Sequence, residues 1–196
     1  MLESTLSPEV RLALAYAPAA ERPTQLAAFA LDAKLAGIVG NVREVILAQI
    51  KFAWWRERLA EAPAARPQGE PILAALATWR APAAPLLALI DGWEAMLDPD
   101  EPDFAALAEG RAALGRGLAE QAGAADAGDS AAAALRGWSL AASGQSDRQP
   151  GRVSLPRSLR ALAVLHGLAR RRSGKAPLLD GPLALAAAMR IGMVGR

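Results

Sequence analysis

The chain has no cysteine and a single histidine, His166. Disulfides, thiolate nucleophiles and Cys-ligated metals are thereby excluded, as is any metal site built on several imidazoles. Rings are scarce too, with three Phe and one Tyr in 196 residues. Together with few β-branched residues, this disfavours a sheet core. No uninterrupted apolar run reaches the roughly 18–20 residues that a bilayer span needs. The opening "MLESTLSPEV" lacks the basic-then-apolar layout of a signal peptide. A cytoplasmic protein is the expectation. Phosphate-binding glycine loops, the zinc-protease H-E-x-x-H and the hydrolase G-x-S-x-G are all missing.

What the chain has instead is apolar residues at 53%, largely alanine and leucine interleaved with arginine, a helix-forming mixture. Charge is unevenly placed. Residues 1–150 carry 13 of the 22 Lys/Arg and 19 of the 20 Asp/Glu, whereas residues 151–196 set 9 basic residues against Asp180 alone. Such a split suits a basic tail on an acidic surface, or two halves that attract each other. Nothing in it calls for a nucleic-acid partner.

Helix signals recur along the chain. Ser7 and Pro8 open "LSPEVRLALAY" as N-cap and first helical residue. "RPTQLAAFALDAKLAG" restarts at Pro23. A third helix over about 41–62 places Val42, Ile46, Ile50 and Trp54 in a row four residues apart. A short helix follows from Pro71 to Trp79, and then one with Leu86, Ile90, Trp93 and Leu97 on one stripe. The acids of "DPDEPD" suit the start of a helix over about 103–122. Further helices are expected from Ser130 to Ala142, from Pro156 to the "ARRR" at 169–172, and from Pro182. The expected fold class is all-α, a single domain over residues 1–196 with about eight or nine helices.

The residues that invite a chemical role each have a plainer reading. His166 sits mid-helix with no acid or hydroxyl three or four residues away, so a plain core or surface position outweighs catalysis. Trp54 and Trp55 are adjacent and point about 100° apart; one fills the core while the other lines a groove or boundary, and Trp93 is a candidate for either place. Arg170, Arg171 and Arg172 complement a helix C-terminus, with an anion or membrane contact, shared with Arg152, as the alternative.

Three segments in order carry a resemblance: "LAQIKFAWWRERL" (47–59), "PILAALATWRAPAAPLLALIDGWEAML" (71–97) and "GRVSLP" (151–156). With "DFAALAEGRAALGRGLAEQAG" (103–123), they are similar to the squalene/phytoene synthase family. That resemblance implies an isoprenoid-synthase-like helical bundle, shortened around 124–150. In the family, two aspartate motifs on facing helices hold Mg²⁺ against a prenyl diphosphate, and an apolar cavity shields the allylic cation. Matched position by position, Gly37 and Gly40 stand at the first motif and Ser143 and Asp147 at the second. Only Asp147 of these keeps a carboxylate; Asp32 is the one candidate for a displaced ligand. Serine (Ser154) also replaces the tyrosine of the family's G-R-x-Y-L-P.

The resemblance therefore implies a non-catalytic member without a cofactor, like those associated with assembly of respiratory complex I. Its partner is then a protein, membrane-associated at the inner membrane. One alternative is a prenyl-transferring enzyme with an atypical diphosphate site, for which Mg²⁺ is the expected cofactor. The other is a protein that binds a prenyl or lipid chain at a membrane surface.

Overall fold

A computed structural model describes residues 2–41, 43–67, 69–145, 149–172, 177–179 and 182–194. Among them are nine α-helices and no strand. These are α1 (Pro8–Ala15), α2 (Arg22–Gly40), α3 (Val45–Ala60), α4 (Pro71–Ala75), α5 (Ala84–Glu94), α6 (Phe104–Gln121), α7 (Gly128–Ala142), α8 (Arg160–Arg171) and α9 (Pro182–Val194). The all-α expectation holds. None of these helices is long and apolar enough to cross a membrane.

Boundaries follow local chemistry. Asp103 caps α6 by accepting the Ala106 N–H at 2.8 Å, and Glu70 caps α4 through Ile72 N–H, each satisfying a donor that the helix leaves open. Ser7 occupies the N-cap of α1 without a side-chain hydrogen bond; its carbonyl starts the helix by accepting from Arg11 N–H. The segment after Pro71 shortens to α4 and a 3₁₀ turn, Leu76–Thr78. Arg66, nearly buried, closes the end of α3 by donating to the carbonyls of Leu59, Glu61 and Leu76.

α5, α6 and α7 pack in sequence with close backbone approach. A Cβ on Gly92 would sit 2.9 Å from the Ala106 carbonyl oxygen, and one on Gly110 2.6 Å from that of Ala88. Gly115 meets Ala131 in the same way across α6 and α7. The ridges of one helix thus settle into grooves floored by bare backbone. Leu86, Leu89 and Ile90 of α5 and Leu107, Leu114 and Leu118 of α6 fill the layer between. At the edge, Glu109 and Arg136 tie α6 to α7 with two 2.6 Å hydrogen bonds.

α3 departs from the sequence expectation. Its buried face is Ala48, Phe52, Trp55 and Leu59, and Arg56 clamps it to Asp91 and Glu94 of α5. Within the row spaced by four, Ile46, Ile50 and Trp54 are exposed, and Val42 lies outside the described residues. Two apolar stripes share this helix. The one holding Phe52 and Trp55 faces the core, because it carries the residues that fill the space against α2 and α5.

Candidate functional site

The centre of the bundle holds a buried ion pair. Asp32 comes from α2, on a stripe with Ala28 and Leu35, and is only 5% exposed. Arg111 comes from α6, between Leu107 and Leu114 on the apolar face of that helix. The guanidinium grips the carboxylate with two hydrogen bonds, Nε to Oδ1 at 3.1 Å and Nη2 to Oδ2 at 3.0 Å. Trp93 of α5 donates from Nε1 to the same Oδ1 at 2.7 Å. The Arg111 Nη1 group donates to Ser139 Oγ of α7 at 3.2 Å.

The arginine is also stacked. Its central carbon lies 4.6 Å from the Trp138 ring and 5.0 Å from the Trp93 ring, and Trp138 meets Phe29 edge to face. Two indole faces thus replace part of the water that a cation loses on burial, while three donors satisfy the carboxylate. Four helices supply this cluster. Neither Arg111 nor Trp138 stands out in the sequence reading, although an arginine on an otherwise leucine stripe is the signal that finds it.

Of the four positions that the family resemblance singles out, Gly37, Gly40 and Ser143 are described. Gly37 and Gly40 occupy the last turn of α2, and a Cβ on either would meet nothing within 4 Å. Bare backbone is therefore not required there. Gly37→Ala is expected to stabilise the protein by about 0.5–1 kcal/mol through helix propensity alone, measured as a rise in the urea midpoint at constant slope. Ser143 caps the end of α7, where its hydroxyl donates to the Ser139 carbonyl at 2.9 Å. Asp147 lies outside the described residues. No group of three or more His, Asp or Glu suited to a metal gathers among the described residues.

A second feature is an open groove of about 1130 Å³ between α2, α3, α4 and the N-terminal turn. Gly37, Ile38, Ile50, Trp54 and Ile72 line it, and Lys34 and Lys51 sit on its walls. The tryptophans divide as expected: Trp55 is buried while Trp54 is 37% exposed along the groove. Trp93 belongs to the core cluster.

The stretch from Pro150 to Ser158, which contains "GRVSLP", is held at three points. His166 donates from Nε2 to the Gly151 carbonyl at 2.8 Å, Arg170 from Nε to the Pro150 carbonyl at 3.1 Å, and Gln25 from Nε2 to the Ser158 carbonyl at 2.9 Å. Arg170 thus spends its Nε on a loop, and the three further positions are placed differently. Arg171 ends α8, and Arg152 is exposed in the pinned segment. Arg172, the C-cap of α8, approaches Gly144.

His166 is core, one of the two plain positions expected of it. Burial holds its pKa below the ordinary 6.5, against the hydrogen bond to Gly151 that pulls upward. Arg170, one turn along the same helix, lowers it further. The unfolded chain consequently binds a proton that the fold refuses. Stability from this source is complete above about pH 6.5 and drains away as pH falls toward the folded-state value. The melting temperature is expected to drop between pH 7.5 and 5.5, and to drop less in His166→Gln, which can still donate to Gly151 but does not titrate.

Comparison with known proteins gives one positive result. No curated protein matches the chain, and no solved structure does either. The family model for squalene/phytoene synthases matches residues 6–166. That span includes α1 to α7, the Asp32–Arg111 cluster, Gly37, Gly40, Ser143 and Asp147, and the "GRVSLP" loop. On that match the chain belongs to the squalene/phytoene synthase family.

Proposed function

We propose that the chain is a non-catalytic member of its family, acting as a scaffold or assembly partner for another protein. The observation that carries this is the Asp32–Arg111 pair. Asp32 is the one buried carboxylate among the described residues, and its two oxygens are already taken by a guanidinium and an indole N–H. A magnesium ion approaching it would have to displace a resident cation of fixed geometry. The donors around it do not fit a Mg²⁺–diphosphate site. Gly37 and Gly40 offer no side-chain oxygen, and the Ser143 hydroxyl is turned back onto its own helix.

Trp93 and Trp138 also close around the arginine, and Phe29 meets Trp138 edge to face, so the centre of the bundle is packed. A protein-binding role draws support from α3, whose outer face leaves several large apolar side chains uncovered. The class of partner that the family resemblance implies is a subunit of a membrane respiratory complex.

The test is incubation of the purified protein with farnesyl or geranylgeranyl diphosphate and Mg²⁺, following diphosphate release. No release above the protein-free rate is expected. Turnover abolished by Asp147→Asn or Asp32→Asn would overturn the proposal.

Binding of a prenyl or lipid chain is a second reading, favoured by the apolar lining of the groove beside Gly37 and Trp54. Sedimentation with anionic vesicles that weakens with added salt would support it. Absence of binding at low salt would remove it.

A further inference from the structure

We infer that the outer face of α3 is a self-association surface, covered in solution by α3 of a second copy of this chain. The helix is apolar on two opposite sides. Ala48, Phe52, Trp55 and Leu59 face the core, whereas Ile46 and Ile50, each 59% exposed, and Trp54 form a row on the other side, flanked by Leu47. A surface helix ordinarily carries one apolar stripe; this one carries two, and the chain buries only one of them.

The charges near this face decide what covers it. Lys34, Arg43 and Lys51 stand against Glu44, Glu57 and Glu70, so the balance is zero. An anionic bilayer gains nothing net from such a surface. A single lipid chain in the open groove would meet Ile50 and Trp54 but leave Ile46 and Leu47 in water, whereas chain-binding sites enclose most of their ligand.

A second copy fits by arithmetic. Antiparallel pairing of two α3 helices about a two-fold axis at Ile50 opposes residues whose numbers add to 100. Ile50 then meets its own mate, Trp54 meets Ile46 of the other copy, and Glu57 meets Arg43. The acidic Glu57 end of each helix also arrives at the N-terminus of the other, where the helix dipole favours a negative charge. Arg43 takes part in no ion pair among the described residues, and the Glu57 carboxylate has only a 3.4 Å contact to its neighbour Arg58. Isologous two-fold pairing is also the commonest way that identical chains associate. This inference does not depend on whether the chain is catalytic.

The experiment is light scattering on the eluting full-length protein, where a mass of twice 20.4 kDa is expected. Ile50→Glu should convert it to the single-chain mass with unchanged helical circular dichroism. Glu57→Arg and Arg43→Glu should each weaken the dimer about tenfold or more, and the two together should restore it. That rescue keeps the test decisive even if Ile50→Glu folds poorly. A wild-type protein of single-chain mass overturns the inference, whether it then binds vesicles or another protein. So does a dimer indifferent to both Ile50→Glu and the charge reversals. Diphosphate release is read on the same sample, so failure of the dimer and failure of the non-catalytic proposal are told apart.

Discussion

Replacing Arg111 with methionine is expected to cost about 3–5 kcal/mol of stability, because it strands a buried carboxylate without its cation. Asp32 would keep only the Trp93 N–H, and the two indole faces that flank the guanidinium would lose what they stack on. For a chain of this size the melting temperature should fall by roughly 6–20 °C. The double variant Asp32→Leu/Arg111→Met should recover most of that loss, since apolar groups of similar volume often match or exceed a buried ion pair. Thermal and urea unfolding of the two single variants and the double variant complete the cycle. A cost below about 1 kcal/mol for Arg111→Met would mean that the pair is solvated like a surface bridge, and the packed centre described above would be wrong.

The same pair shows what the sequence makes legible and what it withholds. The nine helices follow from local signals: prolines at first turns, the acid at position 103, and apolar residues spaced by three and four. Which stripe of a two-faced helix turns inward does not follow from local signals. In α3 the row containing Ile46 and Ile50 has the cleaner spacing, yet Phe52 and Trp55 occupy the core. Tertiary volume outranks periodicity there.

Asp32 and Arg111 lie 79 residues apart, and each looks like a blemish on an apolar stripe. Read together, two opposite charges at the cores of two helices are a single feature, because neither could be buried without the other. Gly37 and Gly40 mislead in the opposite direction. They draw notice as positions where the resembling family carries aspartates, and the open space around both shows that packing does not require glycine there.

Gly115 is where that demand is real, and Gly115→Ala is expected to destabilise the protein even though alanine is the better helix former. A Cβ there would lie 2.5 Å from the Ala131 carbonyl oxygen and 2.8 Å from its carbon, both backbone atoms in the first turn of α7 and not the yielding tip of a side chain. Helix propensity favours the substitution by about 1 kcal/mol. Pushing α6 and α7 apart also loosens the Arg136–Glu109 clamp and the Arg111–Ser139 contact, in a layer already at interior packing density. Overpacking typically costs 1–3 kcal/mol, and contact with rigid backbone places this site at the upper end, so a net loss of about 2 kcal/mol is expected. Measured beside Gly37→Ala, the two substitutions should move the urea midpoint in opposite directions. If both raise it, α6 and α7 do not approach as closely as described.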